Sequence, residues 1–239
     1  MTLATPTDKP IRIEYFSDLL CVWAYAAQIR LDELQQHYAS DIEVHYHFIP
    51  VFGCTQRRIA EGWKDKGGFG AYSANVKQIR TQFPHVTVHP DIWTKNIPPT
   101  SASAHHFLKA VQLLQRQGLI DAAPQTHLEG KTLFESVTWA MRVAFFRDLE
   151  NIADRTVQLA IAERHALPMA ALLQQLDSGE AMALLCKDIE LQAKYKVEGS
   201  PTYVLNEGRQ ILYGNVGYKV IAANVEELVH GPGDQASWC

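Results

Sequence analysis

The stretch Ile11-Arg12-Ile13-Glu14-Tyr15-Phe16-Ser17-Asp18-Leu19-Leu20-Cys21-Val22-Trp23-Ala24-Tyr25 decides how the rest of the chain is read. The alternation of Ile11, Ile13 and Tyr15 is that of a strand with one buried face. From Val22 to Tyr38 the pattern changes, with Ala26, Ile29, Leu31, Leu34 and His37 near helical spacing, which predicts a helix. Cys21 stands at the junction, where the helix should begin. Unsatisfied backbone N–H groups and the helix dipole favour an anion there, so the position is expected to lower the thiol's pKa. A thiolate is the nucleophile of disulfide exchange. The plainer alternative is a small buried apolar residue.

Reading outward, Ile42-Glu43-Val44-His45-Tyr46-His47-Phe48-Ile49 alternates again and is stopped by Pro50, which predicts a second strand and a parallel βαβ unit. Gly53 to Pro99 is loop-rich, broken by Gly67-Gly68, Pro84, Pro90 and Pro98-Pro99, with one helix expected over Tyr72 to Phe83. A helix capped by Ser101 follows, with Ala104, Phe107, Leu108, Val111 and Leu114 as its apolar face and Gly118 as its stop. Further helical patterns cover Thr132 to Arg147, Asn151 to His165, Pro168 to Leu176 and Glu180 to Tyr195. Strand character returns at Pro201 to Asn206 and Gln210 to Tyr213, joined through the turn Asn206-Glu207-Gly208, and Tyr218 to Val229 predicts a last helix. The order βαβ, helical block, αββα is that of an α/β thioredoxin fold with a large α-helical insertion between its βαβ and ββα halves. The expected division is 10–53 with 187–230 for the thioredoxin-fold domain and 54–186 for the helical insertion. Residues 231–239, polar and rich in breakers, are expected to be a mobile tail.

Composition sets bounds on function. With 239 residues, 47% apolar and 20% charged, the chain can bury a substantial core. A formal net charge of −4 and a pI near 6.2 offer no general attraction for nucleic acid or anionic membranes. No apolar run approaches the roughly 18 residues of a spanning helix, and Met1 to Pro10 lacks the pattern of a secretory signal, so a cytoplasmic location is expected. Cys21, Cys54, Cys186 and Cys239 are scattered, with no C-x-x-C pair and no zinc-ligand spacing. Cys186, beside Ala183 on an apolar helix face, and Cys54 in a loop read as packing thiols. His45 and His47 share a strand face without a neighbouring carboxylate or cysteine at ligand spacing, so no metal site is expected. His105-His106, His85 and His89 read as solvated or capping residues. Trp63-Lys64-Asp65-Lys66-Gly67-Gly68 lacks both the spacing of a phosphate loop and a strand before it.

Asp18-Leu19-Leu20-Cys21-Val22-Trp23-Ala24-Tyr25 resembles the D-x-x-C-P-W-C-Y active-site segment of the FrnE-like branch of the DsbA oxidoreductases. Asp18, Cys21, Trp23 and Tyr25 match, whereas Val22 replaces the usual proline and Ala24 the second cysteine. The related kappa-class glutathione transferases and 2-hydroxychromene-2-carboxylate isomerases also lack the cysteine pair, and usually carry serine where Cys21 stands. Val197-Glu198-Gly199-Ser200-Pro201-Thr202-Tyr203-Val204 resembles the G-x-P-T-x-V segment holding the cis-proline of thioredoxin-fold proteins. The helical block and closing hairpin, from Ala144 to Ile152 and on to Gly214-Asn215-Val216-Gly217-Tyr218, are similar to the same family.

The resemblance implies a thiol-dependent oxidoreductase with Cys21 as the catalytic thiol. Trp23 and Tyr25 would shape the site, and Ser200, Pro201 and Thr202 would dock the backbone of a thiol ligand, as an added strand docks on a sheet edge. It implies no tightly bound cofactor, with glutathione as cosubstrate, and a thiol or small organic molecule as partner; a homodimer is left open. Ala24 cannot resolve a mixed disulfide. The second thiol must come from glutathione, another protein or the terminal Cys239. The rival readings are a glutathione-dependent isomerase or transferase acting on a small organic substrate, and a binding module that has lost the chemistry.

Overall fold

The computed structural model describes residues 10–230. Four strands, β1 (Ile11–Ser17), β2 (Ile42–Phe48), β3 (Thr202–Leu205) and β4 (Gln210–Tyr213), form one sheet in the order β2-β1-β3-β4. β2 runs parallel to β1 with Ile13 opposite Val44, and β3 runs antiparallel to β1 with Tyr15 opposite Tyr203. β4 returns antiparallel to β3. α1 (Val22–Tyr38) makes the crossover from β1 to β2, over the range its periodicity predicts, and α8 (Tyr218–His230) packs beside it and β1. Between β2 and β3 lie α2 (Gly68–Thr81), α3 (Ala102–Arg116), α4 (Leu133–Phe146), α5 (Arg155–Arg164), α6 (Met169–Asp177) and α7 (Glu180–Lys194). This is the expected α/β thioredoxin fold with a helical insertion.

Several local expectations need correction. α2 begins at Gly68 rather than Tyr72, because Gly67 at φ 106° turns the chain into the helix at a conformation open to glycine. Ahead of it, Gln56–Glu61 forms a π-helical segment in the region read as loop. α5 starts at Arg155, not Asn151: Asp154 caps it by accepting from the Thr156 N–H at 2.8 Å, and Asn151 is used in the turn before. On α1, Ile29 and His37 face outward, and the buried positions are Val22, the Ala24–Gln28 turn, Leu31, Leu34 and Tyr38. Cys54 and Cys186 are both exposed rather than packed. α7 turns Ala181, Leu185 and Asp188 inward, which leaves Cys186 and Ala183 on its outer side.

The side chain of Asp188 shows what joins the sheet to the helical block. His47, on β2, gives Nδ1 to Asp188 at 2.8 Å and Nε2 to Glu14 of β1 at 2.6 Å, and its ring stacks on Phe16. Lys109 of α3 pairs with the same Asp188 carboxylate, which also accepts the Phe48 N–H at 2.7 Å. All four side chains are buried. An imidazole with a carboxylate on each nitrogen donates from both, which is the charged form. The two strand histidines, read as polar residues on one strand face, differ: the His47–Asp188 node ties β1, β2, α3 and α7 together, while half-buried His45 pairs with Glu43.

The signs of the shifts follow from these contacts. Burial alone would pull His47 down, but its bonds to Asp188 and Glu14 win and raise it above 6.5. Burial alone would raise Glu14, but His47 and Arg12 hold it below 4.5. His47 therefore supports the fold fully below its unfolded value of 6.5 and ceases to as pH climbs through the raised folded value. Glu14 contributes above its unfolded value of 4.5 and ceases to as pH falls through its lowered one. Urea unfolding across pH should show support from this pair greatest between those two unfolded values. In His47→Gln the decline on the alkaline side should flatten, and an unchanged decline would show that another group causes it. Replacing Asp188 by Ala, which leaves buried Lys109 without a carboxylate partner and His47 with Glu14 alone, should lower stability by about 3 kcal/mol or more.

Candidate active site

The segment between β1 and α1 is fixed by one carboxylate. Asp18 is wholly buried; Oδ1 accepts from the Leu20 N–H at 2.8 Å, and Oδ2 accepts from the Phe52 N–H at 2.8 Å and from Ser101 Oγ at 2.7 Å. The Asp18 N–H donates to Ser200 Oγ at 2.8 Å. One residue thus joins the end of β1, the chain after β2, the start of α3 and the loop before β3. Burial alone would raise the Asp18 carboxyl, but His105 and the N–H groups of Phe52 and Leu20 keep it below its ordinary value. Ser101 was expected to cap α3. Its side chain makes no capping bond there, because its hydroxyl is given to Asp18.

Two further buried groups hold this segment. His105 is fully buried rather than solvated; it stacks on Phe48, and its Nε2 accepts the Leu19 N–H at 3.2 Å. Arg142 of α4, also buried, donates to the Asp18 carbonyl at 3.3 Å and to Ser17 Oγ at 3.1 Å. Neither was foreseen as part of a site. Neither carries a local sequence signal for this role, since the groups each one bonds lie more than 80 residues away in the chain.

Cys21 is the residue before the first turn of α1 and is 6% exposed. Its Sγ donates to the Ser200 carbonyl at 3.2 Å, so the two sequence motifs meet in space. The Ser200–Pro201 peptide bond is cis. Thr202 lies beside them but is buried, and its Oγ1 donates to Gly199 O at 2.7 Å, inside the loop. The Gly214 N–H donates to the Pro201 carbonyl at 2.8 Å, which ties the loop to the end of β4. Trp23 is half-buried, edge-on to Phe83. Tyr25 is not brought to the sulfur: it is 2% exposed, stacks on Phe146 and Trp139, and donates its hydroxyl to Thr87 O at 3.1 Å. Cys239 lies outside the described residues, as does the 231–239 tail.

The electrostatics of Cys21 differ from expectation. Burial pushes the thiol up and the Asp18 carboxylate adds to the rise, while Ser200 and the N–H groups of Ala24 and Trp23 act in the opposite sense. The helix terminus does act on the sulfur, but burial outweighs it. Among the described residues, no cluster of His, Cys, Asp or Glu could hold a metal ion, and no helix is long and apolar enough to cross a membrane.

Residues 12–226 match the DSBA-like thioredoxin domain family. No curated protein matches the chain. The structure is similar to that of a probable DsbA oxidoreductase from Streptomyces coelicolor, at 15% identity, TM-score 0.69, and coverage of 96% of this chain and 94% of that one. It is also similar to a 2-hydroxychromene-2-carboxylate isomerase, at 14% identity, TM-score 0.62, and coverage of 95% and 100%. The cytosolic disulfide reductase DsbM from Pseudomonas aeruginosa, solved with GSH, aligns at 17% identity, TM-score 0.61, over 91% of this chain and 99% of that one. At these identities the likeness is one of fold.

Replacing Asp18 by Asn should separate the structural and electrostatic parts of this arrangement. An amide offers one acceptor oxygen where the carboxylate uses two, so a stability loss of about 2 kcal/mol is expected in urea unfolding. The thiolate absorbance of Cys21 should titrate at lower pH in Asp18→Asn than in the parent protein, because a nearby negative charge is gone. A titration that moves upward would contradict the assigned role of Asp18.

Proposed function

The chain belongs to the family of DSBA-like thioredoxin domains, and on that premise we propose that it is a thiol-dependent oxidoreductase working with one active-site cysteine and glutathione. The observation that carries this reading is the contact of Cys21 Sγ with the Ser200 carbonyl, 3.2 Å apart at the head of α1. A ligand cysteine entering here would displace that contact, set its sulfur against Cys21 and pair its backbone with Ser200 and Pro201. Cys21, as thiolate, attacks one sulfur of a disulfide substrate; the mixed disulfide forms and the other half leaves as a thiolate. A glutathione thiolate then attacks the mixed disulfide, which returns Cys21 and carries the substrate half away as a glutathione disulfide. No second protein cysteine is needed, consistent with Ala24.

The upward push on the Cys21 thiol favours a second reading. A sulfur that keeps its proton can donate a hydrogen bond to the thiolate of bound glutathione, and the chemistry is then isomerisation or transfer on a small organic molecule. The two are separated by Cys21→Ser. Reduction of a glutathionylated thiol should fall to background in that variant if Cys21 exchanges disulfides. If the parent protein shows no disulfide exchange at all, and a serine at position 21 preserves glutathione binding, the second reading holds instead. A cytoplasmic location is part of the proposal and agrees with the use of glutathione as reductant.

A further inference from the structure

Near Cys21, on the helical insertion, is a tyrosine that the mechanism above does not use. Tyr72, on α2, is half-buried in an aromatic cradle, with ring centroids 5.0 Å from Trp63, 5.5 Å from Trp93 and 6.1 Å from Phe52. Phe52 is the residue whose N–H is held by Asp18, so the cradle is anchored to the segment that presents Cys21. Arg58, in the π-helical segment, lies over the other part of this wall, 5.9 Å from the Phe52 ring centroid, with its side chain exposed. Among the described residues, the Tyr72 hydroxyl has no hydrogen-bond partner and Arg58 has no carboxylate partner. Three charged or titratable groups act on that hydroxyl: Cys21 from the head of α1, Arg58 from the π-helical segment and Asp18 from the end of β1. Burial comes first among the causes that push Tyr72 up, so it remains a protonated donor across the working range.

A thiolate beside Cys21 has an unsolved problem. Asp18 places a buried negative charge behind it, and burial of the sulfur disfavours the anion. The N–H groups at the head of α1 offset this only in part, so a further donor has to come from another element. We propose that the Tyr72 hydroxyl donates a hydrogen bond to the sulfur anion of glutathione bound beside Cys21, with the Arg58 guanidinium supplying the balancing positive charge. The thiol proton leaves to solvent, and the sulfur anion accepts from Tyr72. This rests on the glutathione reading above. It applies equally to resolution of a mixed disulfide and to transfer chemistry, since both need the glutathione thiolate.

The test uses glutathione carbon-13-labelled at its cysteinyl Cβ, whose chemical shift follows ionisation of that sulfur alone. In the parent protein the bound thiol should ionise below the pH at which free glutathione does. In Tyr72→Phe, which keeps the ring and the cradle, the bound thiol should ionise about one pH unit higher, roughly a tenfold loss of thiolate stabilisation. S-methylglutathione, which cannot form the anion, should bind parent and variant alike. Arg58→Gln, altered at an exposed position, should move the ionisation in the same direction and serves if Tyr72→Phe does not fold. Unchanged ionisation in both variants would overturn the inference while leaving the glutathione site standing. Failure of the parent protein to bind glutathione would overturn that reading and this inference with it.

Discussion

Four hydrogen bonds made by Asp18 are the constraint on which the site depends. Its carboxylate and its N–H together hold Leu20, Phe52, Ser101 and Ser200, residues drawn from four separate parts of the chain. A buried carboxylate is expensive unless its oxygens are satisfied, and three donors to its two oxygens meet that need. The consequence is positional: the head of α1 and the loop before β3 cannot drift apart without leaving a buried charge unsatisfied. Cys21 and Ser200 are neighbours for that reason, and Arg142 and His105 stiffen the same turn from behind.

A second polar node, around His47 and Asp188, works at the far side of β1 and β2. It binds the sheet to α3 and α7, and α7 leads into the loop that carries Ser200. The two nodes thus hold the helical insertion to the sheet and the Ser200 loop to the head of α1. The main apolar core takes in Ile13, Leu31, Phe107, Val111, Met141 and Ile161, and a smaller cluster of Phe16, Ile49, Val197 and Val204 lies beside His47. The polar nodes set where elements sit, and the core supplies the bulk of the driving force.

The fold was legible because period and punctuation agree along most of the chain. Val22–Tyr38 and Gln210–Tyr213 fall where alternation and helical spacing place them, and Gly199-Ser200-Pro201 announces the start of β3. What sequence could not give was partnership over long separations. Ser101 is the right kind of residue to cap a helix, yet its hydroxyl goes to Asp18 across the molecule. His105 and Arg142 looked like ordinary helix residues because nothing local records that the Ser17–Leu20 turn needs their donors and acceptors. Tyr25 matched a family motif and still turned into the core, where Phe146 and Trp139 stack on it. The Cys21 thiol illustrates the same limit: helix position argues for a lowered pKa, but burial is a tertiary property, and here it is the larger effect.

The direct test of the central assignment is a crystal structure of the protein grown with glutathione. The cysteinyl sulfur is expected beside Cys21 Sγ, with the cysteinyl backbone paired to Ser200 and the sulfur's open side toward the Tyr72 hydroxyl. Glutathione bound with its sulfur remote from Cys21, or a Cys21–Ser200 contact intact beneath a ligand seated elsewhere, would contradict it.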